Sequence, residues 1–456
     1  RGVFEDLFLY ETNRKVEKVL EMIEYLSPRY QVAVANPPYF GGGMDAEYKQ
    51  FARDYYPRTK SDTFAMFIER NSELALSGGQ LGFMTPFVWM FISSYEDLRK
   101  ILIEEKTITS LVQLEYSGFE GATVPICTFT LENKLKPDFE GGYIRLSDFR
   151  GGENQAPHTL EAIANPDCGW FFRASAQDFK KIPGSPIAYW VSDRVREVFE
   201  EGNQLIDLAR PCQGMATTNN GLFVRNWHEV SNNKIGYSLD NSEAKRRNFK
   251  WFPYNKGGDF RKWYGNQDFL VNFEDDGNTI CNYIDNTPGV NVKSNGRVIN
   301  RERYFKESIS WSKISSGNIA LRYYPQGFIF DVAGCSIFIG YKELILYIGF
   351  LNSYVARKIL QALSPTLNYE VGHINQLPIL KIKSDEIQSL QLIKKLITFA
   401  KLDWDSFETS WDFSKLTLIS NFRESISLQD AYKYLRNEWV QMTEEMKSLE
   451  EENNRT

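Results

Sequence analysis

Asn36, Pro37, Pro38 and Tyr39 are the residues of this chain whose types and spacing suit a defined chemistry. The Asn36 Oδ1 and the Pro37 carbonyl are two acceptors, and neither proline brings a competing backbone N–H. A primary exocyclic amine has two hydrogens, so the pair can accept both and turn the nitrogen lone pair toward an incoming methyl group. Two prolines hold φ at about −65° and bias the residues before them toward extended backbone, so the tetrapeptide is stiff. Tyr39 adds a π-face for a planar base or amide, and base–aromatic stacking is worth roughly 1–3 kcal/mol. Asn-Pro and Pro-Pro are also ordinary turn signals, and a plain strand-to-loop turn explains the same four residues.

The elements around the tetrapeptide place it. Residues 32–35, Val-Ala-Val-Ala, read as a fully buried strand of a parallel sheet. Phe40-Gly41-Gly42-Gly43 follows as a loose loop. In an open α/β sheet, ligands gather beyond the carboxyl ends of the strands, which is where this corner falls. Before it, residues 13–26 read as an amphipathic helix with Val16, Val19, Leu20, Ile23 and Leu26 on one face. After it, residues 62–76 repeat near the helical period, with Asp62 as N-cap and Ser77-Gly78-Gly79 as the stop. Strands are expected at residues 81–85, 108–114 and 126–132, and a helix at 95–103. Alternating strands and helices point to the doubly wound α/β class.

Composition narrows the field. A chain of 456 residues leaves room for two to four domains and an ample core. Hydrophobic content of 42% and charged content of 25% are those of an ordinary globular protein. The net charge of −6 argues against nucleic acid taken whole, but it is unevenly distributed. Residues 205–325 hold 17 Lys/Arg against 12 Asp/Glu, a local +5, interleaved with many aromatics. Five dispersed cysteines without a C-x-x-C pair suggest reduced thiols and a cytoplasmic setting. His158, His228 and His373 are too far apart for a zinc motif and read as structural, so no metal is expected. No run of about 20 apolar residues is present, and no membrane association is expected.

Asn36-Pro37-Pro38-Tyr39 resembles the catalytic motif of S-adenosylmethionine-dependent amino-methyltransferases. Gly41-Gly42-Gly43-Met44, the segments at residues 56–62 and 64–70, Gly82 to Met90, and Trp251-Phe252-Pro253-Tyr254-Asn255-Lys256-Gly257-Gly258 extend that resemblance. Over nearly the whole chain they are similar to the PglX-type adenine-specific DNA methyltransferases of BREX phage-defence systems. The resemblance implies a partial Rossmann-like methyltransferase sheet, an α+β target-recognition domain and C-terminal helices. The implied boundaries are 1–136 for the methyltransferase part, 137–204 for a linker or insertion, 205–383 for recognition and 384–456 for the helices. It makes Asn36, Pro37, Pro38 and Tyr39 catalytic, and places Asp62 and Phe64 at the cofactor pocket, where capping and core packing explain them equally well. It also puts Phe119 at the target base, with simple core as the even alternative.

A glycine-rich turn for the methionine carboxylate and an acidic residue for the ribose are expected of such a cofactor site. No F-x-G-x-G precedes Asn36 or appears downstream. In the resembling family that motif lies N-terminal to the catalytic strand, so a chain beginning at Arg1 is expected to be a fragment, inactive alone. In the basic stretch, Asn220, Arg225, Lys245, Arg246, Arg247, Lys256, Arg261, Lys262, Arg301, Arg303 and Lys313 are the expected DNA contacts, cations for phosphates and Asn and Arg for base edges. A solvated surface over an aromatic core is the bland alternative for each. Asp385 with Gln388 is expected to open a helix as a capping box. The function expected is N6-methylation of a flipped adenine in double-stranded DNA, alongside other BREX components. The alternatives are methylation of RNA or of a protein glutamine amide, or a DNA-binding specificity component without catalysis.

Overall fold

The computed structural model describes residues 3–116, 124–247, 249–314, 317–363, 368–380, 386–421 and 427–455. The chain divides into two compact units, Arg1–Glu200 and Glu201–Thr456.

The first unit opens with helix α1 (Val3–Leu26), strand β1 (Tyr30–Ala35), helix α2 (Ala46–Tyr55) and helix α3 (Thr63–Leu74). Then come β2 (Ala75–Pro86), α4 (Glu96–Glu104), β3 (Thr107–Gln113), β4 (Ile126–Glu132), β5 (Gly141–Arg145), α5 (Gly152–Ala164) and β6 (Phe171–Ala174). The strands form one mixed sheet in the order β1-β2-β4-β3-β5-β6. β1 runs parallel to β2 and β3 parallel to β5, whereas β4 lies antiparallel to both its neighbours. The core packs on this sheet from α3, α4 and the turn after β2: Phe64, Ile68, Leu81, Phe83, Trp89, Leu98, Leu102, Phe129 and Leu131 are all buried.

Four expectations are corrected here. Residues 32–35 are not fully buried: among the described residues β1 is the last strand of the sheet, and Val32 and Val34 are 58% and 78% exposed. The apolar residues Val16, Val19, Leu20, Ile23 and Leu26 of α1 are likewise 51–59% exposed. Residues 137–204 are not a linker, because β5 and β6 belong to the same sheet and Tyr143, Phe179 and Tyr189 to its core. Glycine punctuation concealed two strands. Finally, α3 stops at Leu74, before Ser77-Gly78-Gly79, which lies within β2. The Asn133 side-chain amide donates to the carbonyls of Ser72, Ala75 and Leu76 at 2.9–3.1 Å and replaces the expected glycine cap. Gly79 serves a different need: a Cβ there would sit 3.0 Å from the Gln31 carbonyl of the neighbouring β1.

The second unit is α+β. One four-stranded sheet has the order Ile329–Phe330, Trp251–Asn255, Phe269–Asn272, Val224–Asn226. A second has the order Leu321–Tyr324, Ser308–Ser312, Gly334–Phe338, Arg210–Cys212. Asn255 ties the two sheets together, and Tyr254 holds the segment that follows Ile329–Phe330. The Tyr254 hydroxyl donates to Asp331 Oδ2 at 2.6 Å, and the Asn255 amide donates to Ser310 Oγ at 2.6 Å. Helices Tyr341–Leu351, Tyr354–Leu363, Glu386–Asp405 and Leu428–Asn453 complete the unit. The last of them docks through Glu450, which accepts from Trp263 Nε1 at 2.7 Å and from Lys262 at 3.0 Å. Residues 384–456 are therefore bonded into the unit that begins at Glu201. Asp385, the expected N-cap, lies outside the described residues. Among the described residues, no helix is long and apolar enough to cross a membrane.

Candidate active site

The strand pairing of β1 with β2 ends at Ala35 opposite Phe83, and Asn36 is the first residue beyond it. Asn36, Pro38 and Tyr39 are exposed, while Pro37 is buried against the unit. The buried Pro37 ring anchors the corner between the exposed residues Asn36 and Tyr39. Tyr39 folds back over the end of β2, with its hydroxyl 3.3 Å from both the Met84 carbonyl and Asn36 Oδ1. A hydroxyl has one proton, so these acceptors share it. The contact also orients the Asn36 amide with its oxygen toward the corner, where a second lone pair of Oδ1 is open to an amine N–H.

Tyr39 is 39% exposed, and its ring stands at 86° to Phe64, with centroids 6.3 Å apart. Phe64 stacks in turn on Tyr95, at 5.4 Å. A T-shaped ring contact fixes the tyrosine plane while leaving ring face accessible. Burial of the hydroxyl, followed by the neighbouring Cys127, raises the Tyr39 pKa, so the phenol stays neutral and keeps its donor. Beneath the corner, Thr85, Cys127 and Trp89 are fully buried, and Trp89 Nε1 donates to Thr85 Oγ1 at 3.1 Å. Next to the corner lies an open cavity of about 490 Å³ lined by Phe40, Gly43, Asp45, Glu47, Tyr48 and Phe51.

Asp62 caps α3 and also reaches the loop after the corner. Its Oδ1 accepts from Phe40 N at 2.9 Å and from Phe64 N at 3.3 Å. Thr63 Oγ1 donates to the Phe40 carbonyl at 3.2 Å. Phe64 is 1% exposed, so its ring supports Tyr39 from below and does not present a face to a cofactor. Its core position in an amphipathic helix explains that burial. Phe119 lies outside the described residues. Sequence reasoning missed Thr63 and Met84. Thr63 follows the capping aspartate, a position that signals a helix start only, and Met84 acts through its carbonyl, which no side-chain pattern reveals.

The expected DNA contacts of the second unit are placed very differently. Lys256 bonds Asp331 at 3.1 Å, with side chains only 20% and 5% exposed. Arg261 pairs with Asp403 at 2.9 Å, Lys262 with Glu450 at 3.0 Å and Lys313 with Glu370 at 3.0 Å. Arg225 donates to the Gly221 and Val224 carbonyls at 2.7 Å and lies over Trp251. Arg301 donates to the Asp276 carbonyl and lies over Phe273, while Arg303 lies over Phe338. Asn220 Oδ1 accepts from Thr217 at 2.7 Å. For Lys256, Arg261, Lys262 and Lys313 the physical reason is shared: a carboxylate of the same unit offers each cation a partner before any phosphate arrives. Arg246 and Arg247 remain exposed on the short helix Asn241–Arg247; the side chain of Lys245 lies outside the described residues.

Residues 6–119 match the Eco57I restriction-modification methylase family. The chain is 36% identical over 450 residues to the adenine-specific methyltransferase PglX of Lacticaseibacillus casei (strain Zhang), covering 97% of this chain and 37% of that protein. It is 34% identical over 419 residues to the adenine-specific methyltransferase BrxX of Escherichia coli O9:H4 (strain HS), covering 89% and 32%. The chain thus spans about a third of the length of these curated relatives. Among solved structures, the Type IIL restriction-modification enzyme MmeI in complex with DNA superposes with a TM-score of 0.54 at 11% identity. That likeness is one of fold and covers 91% of this chain and 57% of the other.

Proposed function

Since the chain belongs, over nearly its whole length, to the PglX-type adenine-specific methyltransferases, we propose that it supplies the amine-holding corner of a site-specific DNA adenine N6-methyltransferase in BREX phage defence. The substrate is an adenine swung out of double-stranded DNA. Extrusion costs a few kcal/mol, which stacking and hydrogen bonds in the pocket offset. The observation that carries the reading is the exposed Asn36 Oδ1 beside a half-exposed Tyr39 ring, both fixed at the end of β1 by Met84 and Phe64.

In this reading Asn36 Oδ1 and the Pro37 carbonyl accept the two N6 hydrogens, and Tyr39 stacks on the purine. Pro37 and Pro38 keep the acceptors from turning away. The exposure of Asn36 gives the proton displaced on N–C bond formation a route to solvent. Most of the acceleration comes from holding the amine in line. S-adenosylmethionine supplies the methyl group as an electrophilic sulfonium carbon. The described residues fit the amine's side of the reaction. They do not include a glycine-rich cradle for the methionine carboxylate, and with Phe64 buried and Asp62 engaged, no holding residue for the cofactor is assigned. DNA affinity rests on the second unit, where Arg246 and Arg247 are expected phosphate contacts that stand exposed.

The test is methyl incorporation into host DNA by the intact protein. N6-methyladenine is expected at a defined sequence, and Asn36→Ala should lower the rate by about 10²-fold or more. Methylation that persists at the unmodified rate in Asn36→Ala would remove the corner from the chemistry.

A further inference from the structure

The first turn of α3 holds the residue that follows Tyr39 by both of its backbone groups. Asp62 Oδ1 takes the Phe40 N–H at 2.9 Å, and Thr63 Oγ1 donates to the Phe40 carbonyl at 3.2 Å. The same carboxylate oxygen caps α3 through the Phe64 N–H, and Phe64 sets the plane of the Tyr39 ring. One oxygen therefore couples three things: the exit of the corner, the start of α3 and the support of the stacking ring. Charge-assisted bonds from a carboxylate to backbone N–H groups are short and strong, and the α3 N-terminus favours the negative charge. The loop is packed tightly against this clamp. A Cβ on Gly41 would fall 2.5 Å from Asp62 Oδ2 and 2.8 Å from the Ser61 carbonyl, whereas a Cβ on Gly42 would meet nothing within 4 Å.

We infer that Asp62 is a positioning residue of the methyl transfer: its carboxylate clamps Phe40 to the start of α3 and thereby holds Tyr39 in its stacking plane. This rests on the function proposed above and adds to it a role for a group that touches neither amine nor purine. Without the carboxylate, the Phe40 N–H loses its partner, and the Thr63 bond to the Phe40 carbonyl is left to hold that end of Pro38-Tyr39. A misplacement of about 1 Å at a reacting centre can cost about 10²-fold in rate.

The experiment compares Asp62→Ala, Asp62→Asn, Gly41→Ala and Gly42→Ala in the intact protein. It measures kcat, KM for S-adenosylmethionine, DNA affinity, and the fluorescence lifetime of 2-aminopurine placed at the target adenine. Asp62→Ala should lower kcat by about 10²-fold, with KM and DNA affinity nearly unchanged, and should shift 2-aminopurine from a short, stacked lifetime to a long one. Asp62→Asn keeps an Oδ1 acceptor and should recover most of the rate. Gly41→Ala should reproduce the loss by displacing the carboxylate, and Gly42→Ala should leave the rate alone. If Asp62→Ala fails to fold, Asp62→Asn and Gly41→Ala still read the clamp. An unchanged kcat and lifetime in both Asp62→Ala and Gly41→Ala would overturn the inference. So would a raised KM for the cofactor at unchanged kcat, which would make Asp62 a cofactor contact. If Asn36→Ala abolishes methylation in the same assay, those outcomes sink the clamp alone; if Asn36→Ala is active, the function itself falls.

Discussion

The Asn36–Tyr39 corner and the basic stretch of residues 205–325 both looked functional as sequences, yet the fold treats them in opposite ways. In the corner, polar groups are left facing solvent, and backbone and rings hold them there: the Tyr39 hydroxyl on the Met84 carbonyl, Pro37 buried, Phe64 beneath. In the basic stretch, three of the expected contact cations are bonded to carboxylates far along the chain. Lys256 meets Asp331 75 residues away, Arg261 meets Asp403 142 away and Lys262 meets Glu450 188 away. A short stiff motif largely determines its own geometry, whereas a surplus of charge only states how many cations exist. Where each one points is a tertiary property. The +5 of the stretch therefore overstates its free positive surface, because acidic residues outside it, Asp403 and Glu450 among them, neutralise part of it.

The largest break in that comparison comes from Lys256→Met. If the lysine is structural, removing it leaves the Asp331 carboxylate, 5% exposed, with the Tyr254 hydroxyl and the Ala333 N–H as its donors among the described residues. Removing one partner of a buried ion pair costs about 3–5 kcal/mol, and the two remaining donors put this case near the lower end. The melting temperature should drop by several degrees while the salt dependence of DNA binding stays the same. A shallower salt slope at unchanged stability would return Lys256 to the DNA face. Arg247→Ala is the converse and the smaller effect. An exposed arginine that meets a phosphate contributes about one unit to the slope of log K against log salt. Its loss should reduce that slope by about one and leave the melting temperature in place.

What could be read from the sequence follows the same division. The N-cap at Asp62 and strand Ile126–Glu132 were legible because capping chemistry and apolar alternation are local. The edge position of β1 was not, since an apolar run of four residues looks the same in the centre of a sheet and at its rim. Strands Gly141–Arg145 and Phe171–Ala174 were hidden by neighbouring glycines, and only their pairing partners reveal them as sheet. Within the site, Asn36 and Tyr39 were legible by type. The clamp was not, because a capping aspartate looks the same whether it binds one backbone N–H or two.

His373 tests whether locality, rather than the region, decides what a sequence reveals. It lies in the second unit, yet its bond is local: Nδ1 accepts from the Glu370 N–H at 3.3 Å at the start of helix Val371–Asn375. Burial lowers its pKa below the ordinary histidine value, and the Glu370 carboxylate, itself paired with Lys313, opposes this only in part. Protonation would convert Nδ1 from acceptor to donor and break the bond. The folded state therefore binds the proton more weakly than the unfolded chain, whose histidine titrates at about 6.5. The resulting stability is fully present above that pH and is lost as pH falls through it toward the folded value. The slope cannot exceed about 1.4 kcal/mol per pH unit for one proton. Urea melts from pH 7.5 to 5.5 should show the unmodified protein losing more stability than His373→Gln over that interval. Parallel pH profiles for the two proteins would mean that the ring is as easily charged when folded as when unfolded, and that the local bond carries no weight.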